Sequence, residues 1–274
     1  MTAAPITGAV AADPYLAAVP APAWRWLHHV NPLAKLAAPV PAIVGVLFTR
    51  DIATPLALIA VAYVILLLGA RMSRSLALVL FVVVPLAVAA IALGLTLWTD
   101  PATLADPGGV LWRIGGWVVQ EGALASGLSA ALRITAMFVL AFVAGATITG
   151  PDLIRSAVEH LHLPYRIGYT ALAAYRFIPR FQHELGVIRA AHRVRGRNGG
   201  RGPFAAFARG WGYVLPLFAG AIRHAERVAL AMDSRAFGAH PTRTERHSVP
   251  WRWTDWLFLA LFVVTTGVVF ALTV

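Results

Sequence analysis

Leu76–Trp98 reads LALVLFVVVPLAVAAIALGLTLW, 23 residues without one charged side chain. A helix needs about 20 apolar residues to cross the hydrocarbon core of a bilayer, so this stretch reads as a membrane span. Working outward, Ile52–Ala70 and Trp256–Val274 each give 19 uncharged residues. Gly122–Thr149 runs 28 residues broken only by Arg133, and Leu36–Phe48 gives 13, interrupted by Pro39 and Pro41. The expected fold is all-α: a polytopic membrane protein with about five transmembrane helices and an amphipathic region on the cytoplasmic side. Composition agrees, with 59% hydrophobic and 13% charged among 274 residues, against roughly 45–50% and 25% in soluble domains.

The net charge of +11 is unevenly placed. Residues 151–250 hold 15 of the 23 basic and 6 of the 12 acidic residues, which leaves that block at +9 and everything else at +2. Positive charge marks the cytoplasmic side of short loops. Arg25 and Lys35 before the first span, and Arg71 and Arg74 between the second and third, therefore set the orientation. The 50–51 turn and the 99–121 loop, with Asp100, Asp106, Arg113 and Glu121, then lie outside, and the chain re-enters the cytoplasm at residue 150. Trp251, Trp253 and Trp256 form an interfacial aromatic belt at the last span. The expected organisation is a flexible leader over 1–23, transmembrane helices over 24–150, a cytoplasmic amphipathic domain over 151–250 and a C-terminal span over 251–274. The leader has no Lys or Arg before Arg25, so it lacks the positive start of a signal peptide.

Within the basic block, Ile167, Ala171, Ala174, Ile178, Phe181, Leu185 and Ile188 alternate in steps of four and three, a helical stripe. Pro179 is expected to kink or divide it. A glycine-rich hinge spans Gly196–Pro203. A second stripe after Pro216 passes through Leu217, Ala221, Ala225, Val228 and Met232, with stop signals at Gly238 and Pro241.

Catalytic patterns are mostly missing. There are no cysteines, which excludes disulfides and thiolate chemistry. Lys35 is the single lysine, and its setting cannot form a Walker A loop. No G-x-S-x-G elbow occurs, and His183-Glu184 lacks the second histidine of H-E-x-x-H because position 187 is valine. His160 and His162, near Asp152 and Glu159, read as a solvated helix end rather than as metal ligands, and His28-His29 as interfacial polar residues. No catalytic residue, resident metal or cofactor is expected. Arg133 costs ~2.5–3.5 kcal/mol inside a span and so faces protein or water. An internal structural pair and a contact with a partner subunit both remain open. Gly122, Ala123, Ala125, Ser126, Gly127, Ser129 and Ala130 before it allow close helix packing.

The sharpest feature is repeated. Ala190–Gly196 (AAHRVRG) closes the first amphipathic region, and Ala231–Gly238 (AMDSRAFG) closes the second. Each sets an arginine among small or modest neighbours at a helix end. The helix dipole favours positive charge there in any case, but the planar guanidinium fork also suits bidentate bonds to carboxylates on another protein. Two copies in one basic domain favour docking.

Several stretches match a family pattern in order. His29-Val30-Asn31-Pro32-Leu33-Ala34-Lys35-Leu36 is similar to H-x-x-[DN]-P-x-x-K-L, and Leu132-Arg133-Ile134 to L-R-[IL]. Thr147–Pro151 matches a Thr-rich, proline-ended boundary. Arg176-Phe177-Ile178-Pro179, then Glu184 and Ala191–Gly196, follows R-F-[IL]-P-x(4)-E…A-x-x-x-R-G, and Ala231–Arg235 follows A-M-[ED]-[AS]-R. From about residue 28 to the C-terminus the chain resembles the transmembrane T component of energy-coupling factor (ECF) transporters, the EcfT/CbiQ-like family of vitamin and metal importers. The resemblance implies two coupling helices. Val194-Arg195-Gly196 and Ser234-Arg235-Ala236 would each dock into one of two ATP-binding cassette ATPases, which hydrolyse the ATP. Arg133, Arg176, Pro179 and Glu184 become candidate partner-subunit or structural contacts. A separate substrate-binding S subunit would select the cargo. Val194 stands where alanine is usual, Ala236 where glycine is usual, and 197–203 resembles a local insertion. The Ser-Arg-Ala-Phe-Gly tail is most similar to systems for thiamine or its precursor.

The implied function is a non-catalytic coupling subunit for micronutrient uptake in a bacterial or archaeal cell membrane. The alternative is a self-contained carrier or receptor with Arg133 in its substrate pathway. Nucleic acid is not an expected partner, because the basic residues are spread over amphipathic helices without a binding motif.

Overall fold

The computed structural model describes residues 25–99, 108–114, 117–196, 202–240 and 247–273. The expected leader, Asp100, Asp106, most of the glycine-rich hinge and Pro241 lie outside them. Among the described residues the regular structure is all helical apart from one two-stranded hairpin. It divides into two compact units: Val19–Ser156 with Val249–Val274, and Ala157–Ser248.

The first unit is the apolar one. After a 3-10 turn at Trp26–His29 come α1 (Pro32–Ala37), α2 (Val40–Val46) and α3 (Ala53–Gly69). The Asn31 side chain caps α1 by accepting the Leu33 N–H at 2.9 Å, with Pro32 at the first helical position, where a missing N–H costs nothing. Pro39 and Pro41 explain the break between α1 and α2, since neither can donate to the preceding turn. α4 (Arg74–Leu78), a π-helical segment (Val79–Val83) and α5 (Val84–Trp98) form one continuous apolar rod. α6 (Glu121–Gly145) and α10 (Trp253–Thr273) complete the long helices. Among the described residues three helices, Arg74–Trp98, Glu121–Gly145 and Trp253–Thr273, are long and apolar enough to cross a membrane. Two shorter apolar runs, Pro32–Val46 and Ala53–Gly69, accompany them.

The π segment has a local cause. Pro85 lacks the N–H that would continue the five-residue pattern onto the Leu80 carbonyl, as the Val84 N–H does onto Val79. Such bulges follow interruptions of the hydrogen-bond ladder. The Leu80 carbonyl is instead met by the Tyr63 hydroxyl of α3, which donates to it at 2.6 Å. An unmet carbonyl in an apolar core costs about 1–3 kcal/mol.

The core of this unit gathers Leu27, Leu58, Leu66, Leu80, Val139 and Leu140, all fully buried. α6 packs against α3 and α5. Gly127 permits the close approach to α5: a Cβ there would lie 2.9 Å from the Thr96 backbone nitrogen and 3.0 Å from the Ala92 carbonyl. At one end of α6, Ser129 donates to the carbonyls of Arg50 and Asp51. At the other, a buried polar junction forms around Asn31, Lys35 and Asp255, each no more than 2% exposed. Lys35 Nζ donates to the Thr147 carbonyl at 3.1 Å. Ser156 donates to Asn31 Oδ1, and the Asn31 N–H donates to Asp255 Oδ1. Asp255 also accepts the Arg252 N–H. These bonds join α1, α6, α10 and α7 (Gly150–His160), the helix within which the boundary between the units falls. The 99–121 loop contains an antiparallel hairpin of β1 (Val110–Ile114) and β2 (Trp117–Gln120).

The second unit is a helical hairpin. α8 (Tyr165–Val194) runs through Pro179 without dividing, so of the expected kink or division the division does not occur. Likewise α9 (Pro203–Asp233) passes through Pro216 and begins 13 residues before it. Proline removes one bond from a helix, and both of these helices continue past the loss. α9 ends before Gly238 and Pro241, so the stop comes earlier than those residues suggest.

Candidate functional site

α8 and α9 pack antiparallel, as their ring contacts show. His192 meets Tyr213 with ring centroids 5.1 Å apart, and Phe177 meets His224 at 4.5 Å. Tyr165 and Tyr169 both meet Phe237, at 5.7 and 5.9 Å. Arg195 therefore lies at one end of the hairpin and Arg235 at the other. From Tyr169, level with the second motif, to Arg195 is 26 residues, a rise of about 39 Å.

The two ends share one backbone design. Arg195 caps α8 and is followed by Gly196 in the left-handed region, φ +69°. Arg235 is followed by Ala236, also left-handed, φ +55°. The Gly196 N–H donates to the Arg193 carbonyl, and the Ala236 N–H to that of Asp233 at 2.9 Å. The Phe237 N–H then reaches back five residues to Met232 at 3.0 Å. At the second end that pattern is a Schellman ending. Each arginine thus directly precedes the left-handed residue at its helix end, where cations are favoured. Val194, Arg195, Gly196, Ser234, Arg235 and Ala236 are all exposed.

The second end is held by the start of α8. Tyr165 donates to the His240 carbonyl and Arg166 to that of Gly238, both at 2.6 Å. The result is a concavity of about 430 Å³ into which Arg176 and Arg235 both open, walled by Tyr165, Tyr169 and Phe237. Arg176, singled out from the R-F-I-P stretch, is thereby brought beside the second motif. Glu184 lies elsewhere on the hairpin, in a smaller recess with Arg180, His224 and Arg227. Burial lowers the His224 pKa, and the charges of Arg180 and Arg227 lower it further against the opposing pull of Glu184. Pro179 sits mid-α8, half-buried.

Arg133 belongs to the apolar unit, partly buried on α6. Asp51, in the 50–51 turn, is the carboxylate it influences: hydrogen bonding by Thr54 holds the Asp51 carboxyl below its usual range, and Arg133 adds to the effect. A search confined to acids within the spans misses Asp51. The same reading missed Ser156 and Asp255 as partners of the Asn31–Lys35 stretch, because 125 and 224 residues separate them from Asn31. The hairpin at 110–120 did leave a signal, Gly115-Gly116 between two runs rich in aromatic and β-branched residues. Among the described residues no group of three or more His, Asp or Glu side chains could hold a metal.

Together these features define a polytopic, all-helical membrane protein carrying a basic helical hairpin with two matched arginine ends. The family model described as cobalt transport protein, CbiQ, matches residues 23–246, and the chain belongs to that family. It is similar to the energy-coupling factor transporter transmembrane protein EcfT of Limosilactobacillus fermentum, 29% identical over 262 residues covering 89% of this chain and 92% of that one. EcfT of Streptococcus equi subsp. equi is 26% identical over 252 residues, 87% and 89% of the two chains. EcfT of Thermotoga maritima is 31% identical over 160 residues, 56% and 58%. The chain is an energy-coupling transmembrane subunit of an ECF transporter.

Proposed function

We propose that this subunit transmits ATP-driven motion from two ATP-binding cassette ATPases, bound at Arg195 and Arg235, to a separate substrate-binding membrane subunit. The observation that carries this reading is the pair of helix ends, each with an arginine directly followed by a left-handed residue. A rise of about 39 Å between them suits one docking point per ATPase better than two points on the same one. Each guanidinium would take a carboxylate in a groove of its ATPase, with Val194, Gly196, Ser234 and Ala236 small enough to admit the helix end. Arg176, opening into the same concavity as Arg235, would supply a second cation there.

In this reading the domain boundaries are 24–150, 151–250 and 251–274, with 151–250 on the cytoplasmic face of the cell membrane. Closure of the ATPases on ATP moves the two ends of the hairpin relative to each other, and this subunit performs no catalysis itself. The S subunit rests on the exposed apolar stripe of α9, where Phe207, Trp211, Leu215, Phe218 and Ile222 recur at helical spacing. The cargo is a micronutrient, thiamine or its precursor.

Arg195→Glu with Arg235→Glu should abolish recovery of both ATPases in a native pull-down read by mass spectrometry. The wild-type pull-down should bring two ATPase chains and one small hydrophobic protein. Full ATPase recovery by the double variant would overturn the reading. Uptake by the purified chain alone in liposomes would favour a self-contained carrier instead.

A further inference from the structure

An open groove runs along the apolar unit between α3 and α10 and encloses about 790 Å³. Its length is walled by Val61 and Val64 of α3 and by Leu257, Leu261 and Phe262 of α10. One end is different: there Trp26, His29, Arg252 and Thr254 supply an aromatic ring, an imidazole, a guanidinium and a hydroxyl. Along α10 the groove extends from Thr254 to Thr265, 11 residues or about 16 Å of helix rise. A bilayer's hydrocarbon core is about 30 Å thick, so the groove is as deep as one leaflet. Its polar end coincides with the tryptophans that mark a membrane interface.

The charge at that end is uncompensated. Arg252 is exposed and makes no ion pair among the described residues. The nearest acid in sequence, Asp255, is 1% exposed and accepts the N–H groups of Asn31 and Arg252, so it is turned into the protein. A groove one leaflet deep, apolar along its length and cationic at its interfacial end, complements a lipid with an anionic head.

We propose that the α3–α10 groove binds one anionic phospholipid, its acyl chain along Val64 and Leu261 and its phosphate at Arg252 and His29. This holds whichever face of the membrane the groove's polar end occupies, and it does not depend on the docking of ATPases.

The test is native mass spectrometry of the full chain released from detergent containing equal phosphatidylglycerol and phosphatidylcholine. Wild type should retain one phosphatidylglycerol at activation energies that strip phosphatidylcholine. Arg252→Ala with His29→Ala should reduce that adduct about tenfold, and Val64→Trp, which fills the groove and leaves the charges in place, should do the same. Unchanged circular dichroism confirms that each variant is folded. Soluble glycerol 3-phosphate in excess should not displace the lipid; displacement would mean a simple phosphate site and overturn the groove assignment. Equal retention of both lipids, or retention by both variants, would also overturn it. So would loss of the adduct from the intact transporter complex, which would give the groove to a partner's helix.

Discussion

Gly127→Ala should lower the thermal stability of the chain, whereas Gly94→Ala and Gly145→Ala should raise it. All three are helical glycines in the apolar unit, and by helix propensity alone each change gains about 1 kcal/mol. They differ in surroundings: a Cβ at Gly94 or Gly145 meets nothing within 4 Å, whereas at Gly127 it would meet the Thr96 side chain, the Thr96 nitrogen at 2.9 Å and the Ala92 carbonyl at 3.0 Å. Two of those atoms are backbone, so rotating a side chain cannot relieve the clash. α5 and α6 must separate by about 0.5–1.1 Å to restore contact near 3.5–4.0 Å, and a gap of that size forfeits a quarter to a half of each neighbouring dispersion well. That places the change at about 2–3 kcal/mol on the overpacking scale, a net loss of about 1–2 kcal/mol after the propensity gain. With about 2–4 °C per kcal/mol for chains of this size, the midpoint should fall by about 2–8 °C. The two control variants should rise by about 2–4 °C. Size-exclusion monitored heating in detergent reads all three. Thr96→Ala should rescue Gly127→Ala only in part, since the backbone atoms remain. A rise for Gly127→Ala alongside the controls would refute the close-approach argument.

Ala236→Gly should add about 1 kcal/mol and Gly196→Ala remove about as much, because a Cβ in the left-handed region costs about 1–2 kcal/mol; opposite shifts of the hairpin's hydrogen-exchange protection check this. Tyr63→Phe should cost about 1–3 kcal/mol through the orphaned Leu80 carbonyl, read by the same heating assay, and an unchanged midpoint would remove Tyr63 from the account. His224 should make the α8–α9 hairpin sensitive to acid. Its folded pKa lies below the ordinary 6.5, so its contribution is complete above that value and is lost as pH falls through the folded pKa. Exchange protection should drop as the pH is taken below 6.5, and His224→Gln should flatten the drop.

The membrane character was legible because it is a property of composition over a window: Leu76–Trp98 is apolar in any conformation. The two arginine-bearing helix ends were legible for a related reason, since a helix end with a left-handed residue is a local event written in adjacent residues. What could not be read was whatever depends on distant partners. Asn31 and Lys35 gave no sign of Asp255, and Arg133 gave none of Asp51. Pro179 and Pro216 were weighted as breakers, yet helices of 30 and 31 residues absorb one missing bond each. Pro85 passed as an ordinary member of an apolar run, although it is the residue that reshapes the rod.

That proline has a mechanical consequence. In an uninterrupted rod the Leu80 carbonyl would be held from within its own helix, and neighbouring helices could slide past it. Here the bond is lent by Tyr63, so a link in the spine of one helix has become a rivet between two. A push that rotates α3 about its axis must either carry the segment after Arg74 along with it or leave a bare carbonyl in hydrocarbon. The two helices are thereby geared together at one depth and free to splay elsewhere.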